Sequence, residues 1–133
     1  MIPRFRAWDG GSLCRMYSPE EVMVGNGDIW IIDEDNIAGE WIVNNDLDLM
    51  QSTGLTDINS KEIFEGDILK VTDEHSWLEV VSFNENKAMF VSKEIKRKTD
   101  IPERPFYDLF NTDIFKIEII GNIYENPELV EVN

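Results

Sequence analysis

From Pro3 to Tyr124 the apolar residues of this chain come in short runs, each stopped by a cluster of Gly, Asn, Asp or Ser. The main stops are Asp9-Gly10-Gly11-Ser12, Gly25-Asn26-Gly27-Asp28, Asn44-Asn45-Asp46 and Asn84-Glu85-Asn86. Residues of these types adopt positive φ or hydrogen-bond their own backbone, so they end regular elements. The runs between them are too short for long amphipathic helices and are rich in Ile, Val, Phe and Trp, which favour strands. This punctuation restricts the chain to short strands, and their spacing suggests a small barrel or a strongly bent sheet.

Period-two alternation in Pro3-Arg4-Phe5-Arg6-Ala7-Trp8 puts Phe5 on one face with Pro3 and Ala7, and Arg4, Arg6 and Trp8 on the other. After the turn, Leu13 to Tyr17 returns as the second arm of a hairpin. Ser18-Pro19-Glu20-Glu21 has the cap and the proline of a helix start, which Gly25 and Gly27 cut to one turn. Ile29-Trp30-Ile31-Ile32 has the unbroken apolar character of a strand buried on both faces. Glu40 to Val43 and Leu47 to Gln51 give further strands. The turn at Gly66-Asp67 opens another, containing Ile68, Leu69 and Val71. Trp77 to Phe83 and Lys87 to Ser92 form a hairpin, and Phe115 to Tyr124 a closing strand broken at Gly121. Phe106, Tyr107, Leu109 and Phe110 make a helical stripe of one to two turns, and Asn126-Pro127 begins a last turn.

The 133 residues include 12 Lys and Arg against 27 Asp and Glu, a net charge of −15. That balance opposes direct binding to nucleic acid or to anionic lipid. The single basic cluster, Lys93, Lys96, Arg97 and Lys98, reads as a solvated loop. No apolar run approaches the ~18 residues of a membrane span, and the N-terminus lacks the apolar stretch of a secretion signal. A cytoplasmic location is expected. One cysteine, Cys14, and one histidine, His75, exclude an internal disulfide and a Cys-built zinc site, and nothing in the sequence gives the pair an oxyanion hole. An EF-hand starting at Asp33 fails at Ala38 and at Asn44. No phosphate loop occurs, so no cofactor is expected. Trp8, Trp30, Trp41 and Trp77 lie beside Ile and Val and read as core rather than as a stacking surface.

Three stretches, FRAWD at Phe5 to Asp9, LMQSTGLTDINSKEIFEGDIL at Leu49 to Leu69 and IIGNIYENPEL at Ile119 to Leu129, together resemble the YopX family of small phage and prophage proteins. Residues 72 to 118 carry no matching motif. The family has an aromatic where Ser52 stands and a glycine where Ser60 stands, so a different turn is expected after Asn59. The resemblance implies an all-β fold with a C-terminal SH3-like small barrel, a single domain over 1–133 with an N-terminal β-rich part (1–50) and a barrel part (51–133), and a phage or prophage origin. It implies no reaction. Gly54, Gly66 and Gly121 suit turns or bulges, and Phe5, Trp8, Ile68, Ile119 and Ile123 suit a core. Arg4, Arg6, Asp9, Gln51 and Asp67 are least explained by packing and are the candidate interaction residues, weighed against ion pairs and turn hydrogen bonds.

The resulting expectation is a non-enzymatic accessory protein that binds a host or phage protein and self-associates through exposed strand edges. A second class is an acidic mimic of nucleic acid that occupies a basic groove, with Asp28, Asp33, Glu34, Asp35, Glu40, Asp46 and Asp48 as its densest carboxylates. A third, ranked last, is a carboxylate-dependent metal hydrolase.

Overall fold

The structure is a computed structural model that describes residues 2–11, 13–32, 38–95 and 101–131. Lys96, Arg97 and Lys98 of the basic cluster, and Asp33, Glu34 and Asp35 of the acidic set, lie outside the described residues. The chain divides into two compact units, Met1–Ser52 and Thr53–Asn133, with the division inside one strand.

In the first unit, β1 (Phe5–Asp9) lies between β2 (Arg15–Tyr17) and the start of a later strand, antiparallel to both. A 3-10 turn at Pro19–Glu21 leads into β3 (Val22–Gly25), which pairs with β4 (Asp28–Ile32), and β4 pairs in turn with β5 (Trp41–Val43). The β3–β4 connection is Asn26-Gly27 with φ of 52° and 78°, the two left-handed residues a tight antiparallel hairpin requires. β6 (Asp48–Thr56) begins in this unit, where Phe5 faces Gln51 and Ala7 faces Leu49. Ala7, Tyr17, Val22, Ile31 and Leu47 form the core.

In the second unit the end of β6 pairs with β7 (Glu62–Phe64). The remaining strands are β8 (Asp67–Thr72), β9 (Ser76–Asn84), β10 (Met89–Glu94), β11 (Arg104–Pro105) and β12 (Lys116–Asn122). They build one sheet in the order β11-β10-β9-β8-β12, curled as an SH3-like small barrel. The β12 ladder shifts register between Ile119 and Gly121, a bulge that bends the strand where the sequence places its break. Ile63, Leu69, Val71, Val81, Phe106, Leu109 and Ile117 fill the interior.

The three short helical turns read from sequence are present as single 3-10 turns, at Pro19–Glu21, Phe106–Leu109 and Pro127–Leu129. Two sequence expectations are corrected. β4 is not buried on both faces: only Ile31 is buried. Trp77 packs against the barrel core as expected, but none of the four tryptophans is fully buried, and Trp41 is 38% exposed. Both corrections have one cause. An apolar run specifies strand faces that resist water, but not whether a second layer covers both of them.

Candidate interaction surfaces

The residues singled out from sequence do not converge on one site. Arg4 forms an exposed ion pair with Glu20 at 3.4 Å, of a kind worth about 0–1 kcal/mol. The Arg6 Nε–H donates to the Met50 sulfur at 3.3 Å, and Asp9 accepts the Gly11 N–H at 2.9 Å to shape the turn after β1. Gln51 faces Phe5 across the β1–β6 ladder. Asp67 belongs to the other unit, is 1% exposed, and accepts the Phe64 N–H at 2.8 Å, closing a turn in which Gly66 has φ of 85°. Cys14 is exposed in the first unit and His75 lies in a turn of the second.

Several residues of the recognisable stretches organise backbone. Asp57, 7% exposed, accepts N–H groups from Asn59 (2.8 Å), Lys61 (2.9 Å) and Ile119 (3.0 Å). Burial raises its pKa, but the three backbone donors and the Lys61 charge outweigh burial and hold it below the usual aspartate value. Asn122 accepts the N–H groups of Tyr124 (3.0 Å) and Glu125 (2.8 Å), while Asn126 accepts that of Asn122 at 3.2 Å. A Cβ on Gly121 would stand 2.5 Å from the Asn126 Oδ1, which explains the glycine there. Ser60 has φ of 62°, the left-handed conformation a glycine adopts without a Cβ penalty, so the turn after Asn59 accommodates serine under strain.

Two surfaces remain that no backbone role explains, and sequence reasoning missed both. The first is the outer face of the three-stranded sheet. Register puts Met23, Trp30 and Val43 in one row and Ile32 beside Trp41 in the next. Val22 and Ile31 point the opposite way, into the core. Met23 is 47% and Val43 44% exposed, and Trp30 and Ile32 are half-buried. β5 is the outer strand, and all three of its residues, Trp41, Ile42 and Val43, are exposed. At the other edge a groove of about 320 Å³ lies beside β3, with walls of mixed character that include Ile2, Arg4, Phe5 and Val24.

The second surface is a pocket of about 170 Å³ in the barrel, lined by Trp77, Glu79, Ser92, Glu94, Ile101, Pro102 and Arg104. Glu79 is 1% exposed. Its Oε2 accepts the Trp77 Nε1–H at 2.7 Å and a guanidinium N–H of Arg104, and its Oε1 accepts the Ser92 hydroxyl at 2.8 Å. The Arg104 guanidinium also lies 5.6 Å from the centre of the Phe115 ring, whose edge-to-face partner is Trp77. Among the described residues no three His, Cys, Asp or Glu come together as a metal-binding group, and no helix is long and apolar enough to cross a membrane.

Short strands in two units, an SH3-like barrel in the second and motif residues that hold turns define a small all-β protein. The YopX family profile (YopX protein) matches residues 4–131, and the chain belongs to that family. Among solved structures it is similar to protein EF1440 from Enterococcus faecalis, with 27% identity, a TM-score of 0.61, and coverage of 98% of this chain and 99% of that one. No curated protein matches it.

Proposed function

We propose that this chain is a non-enzymatic protein-interaction module of phage or prophage origin, acting in the bacterial cytoplasm, and that it docks a partner protein on the outer face of the β3–β4–β5 sheet. The observation that carries this reading is β5, an outer strand whose three residues are all exposed, with Trp41 and Val43 on the docking face and Ile42 on the opposite one. An exposed apolar edge strand invites pairing, and soluble proteins ordinarily blunt such edges with Lys, Pro or a bulge. The absence of chemistry is supported by how the polar groups are used, since Asp57, Asp67 and Asn122 are engaged by backbone N–H groups. Charge decides the occupant. Self-association through this face would bring together two chains of −15 each, whereas a partner with an apolar strip and a basic rim gains from both the strip and the surrounding acidity.

The test compares tagged wild type with Val43→Asp and Met23→Asp in nuclease-treated bacterial lysate. The expected result is one protein retained by wild type through about 0.5 M salt, where exposed charge contacts are screened, and lost from both variants. Equal capture by wild type and variants overturns the assignment of the face. A basic nucleic-acid enzyme released from all three proteins at moderate salt gives the surface to phosphate mimicry instead. Sedimentation equilibrium showing a wild-type dimer that Val43→Asp dissociates gives the face to a second copy and refutes the choice of a different partner.

A further inference from the structure

The outer edge of β5 carries backbone groups that its own sheet does not use. The Asn44 N–H donates to the Ile29 carbonyl at 2.9 Å, one step along the ladder from the facing pair Trp30–Val43. Facing residues of an antiparallel ladder alternate between pairs that exchange hydrogen bonds and pairs that do not. Ile31–Ile42 is therefore the next bonding pair, and Trp41 and Val43 turn their N–H and C=O groups away from β4. β5 is terminal in its sheet, and its register runs from Trp41 to Val43 without a bulge. An edge of this kind is a template for a further strand.

We propose that the β5 edge takes up an extended segment of the partner protein as an added strand, with an apolar centre against Trp41 and Val43 and Lys or Arg on either side of it. The inference rests on the reading that the partner docks at this sheet, and adds to it backbone pairing and a sequence pattern. The outward N–H and C=O groups of Trp41 and Val43 supply the pairing, and their exposed side chains select the apolar centre. Charge selects its flanks. No Lys or Arg occurs between Met16 and Ser60, a stretch that holds ten Asp and Glu, so the lysine that ordinarily blunts an edge is missing along the whole β3–β4–β5 sheet. Glu40 and Asp46, on either side of β5, are exposed and form no ion pair among the described residues. A second copy of β5 would bring the same acids to this edge with no cation to answer them, whereas basic flanks meet both.

The test is backbone amide hydrogen exchange, read by NMR on the ¹⁵N-labelled full chain. In the free protein the Ile42 and Asn44 amides are expected to be protected by β4, and those of Trp41 and Val43 to exchange rapidly. The probes are the acetylated, amidated heptapeptide Lys-Lys-Val-Ile-Val-Lys-Lys, its counterpart with Glu in place of Lys, and the basic peptide N-methylated at its three apolar residues. The basic peptide is expected to bind saturably and to slow exchange at Trp41 and Val43 about tenfold, and the other two to do neither. Val43→Pro removes an outward N–H and leaves the β4 ladder intact, so it should bind the basic peptide about tenfold more weakly than Val43→Ala does. Saturation without slowed exchange overturns strand addition alone, whereas lysate capture unaffected by Val43→Asp and Met23→Asp counts against the docking face. Equal binding of the acidic peptide overturns the charge pattern. Slow exchange at Trp41 and Val43 in the free protein that is lost on dilution gives the edge to a second copy and overturns the proposal. So does the absence of saturation by the basic peptide.

Discussion

Asp57→Asn isolates the contribution of one carboxylate. Its Oδ1 accepts the N–H groups of Asn59 and Lys61, and its Oδ2 that of Ile119, all within 3.0 Å. Asparagine keeps one oxygen, which serves the Asn59–Lys61 loop, and turns an NH₂ group toward the Ile119 N–H. One bond to a charged acceptor becomes donor against donor, and the other two lose their charge assistance. At about 1.5–3 kcal/mol for a hydrogen bond to a charged group, the substitution costs about 3 kcal/mol. For a chain of 133 residues that lowers the melting temperature by about 10 °C. The pH dependence has a definite sign. The folded pKa of Asp57 is depressed, so its stabilisation is complete above the unfolded value of about 3.9 and is lost as pH falls through the folded value. Thermal melts of both proteins should therefore differ by a constant amount from pH 5 to 7 and converge below about pH 4. A variant within about 1 kcal/mol of wild type, or a gap unchanged down to pH 3, would refute the reasoning.

Ser60→Gly should stabilise the protein by about 0.5–1 kcal/mol, because relief of the left-handed Cβ penalty exceeds the entropy glycine adds to the unfolded chain; a melting temperature unchanged or lowered would contradict this. Gly121→Ala should cost about 1–2 kcal/mol, since the new Cβ meets the Asn126 side chain and displaces it from the Asn122 N–H, and urea denaturation would measure the loss. Val43→Asp, at an exposed position, should leave stability within about 0.5 kcal/mol of wild type while removing partner binding; a large loss of stability would show instead that β5 is covered.

The parts of the fold that were legible in sequence are those specified by adjacent residues. Asn26-Gly27 fixes a tight hairpin by its own backbone preferences, and the bulge at Gly121 is marked by a glycine within an apolar strand. The role of Asp57 was not legible, because two of its three donors are local but the third, Ile119, is 62 residues away. Within TDINSK the residue reads as one more turn former. The sheet face escaped for a related reason: alternation tells that Trp30 and Ile32 share a side, but coverage of that side depends on a layer that no local pattern encodes. Pairing of Glu79 with Glu94 likewise depends on the register set by the β9–β10 turn, and Arg104 reaches Glu79 from a different strand.

These failures have a common direction. Asp57, Ser60, Gly66, Asp67, Gly121, Asn122 and Asn126 all lie in the recognisable stretches, and each holds a turn or a bulge. The Asp57–Ile119 bond joins the second of those stretches to the third, so the two depend on each other to hold the barrel's backbone. The exposed apolar face, residues 22 to 43, and the barrel pocket, residues 77 to 104, both fall in segments without such motifs. A frame that uses its recognisable polar groups on its own backbone leaves its intervening strands free to vary in what they contact. On that argument recognition is assigned to the segments that carry no motif, and comparison of partners among YopX proteins should follow those segments rather than the shared ones.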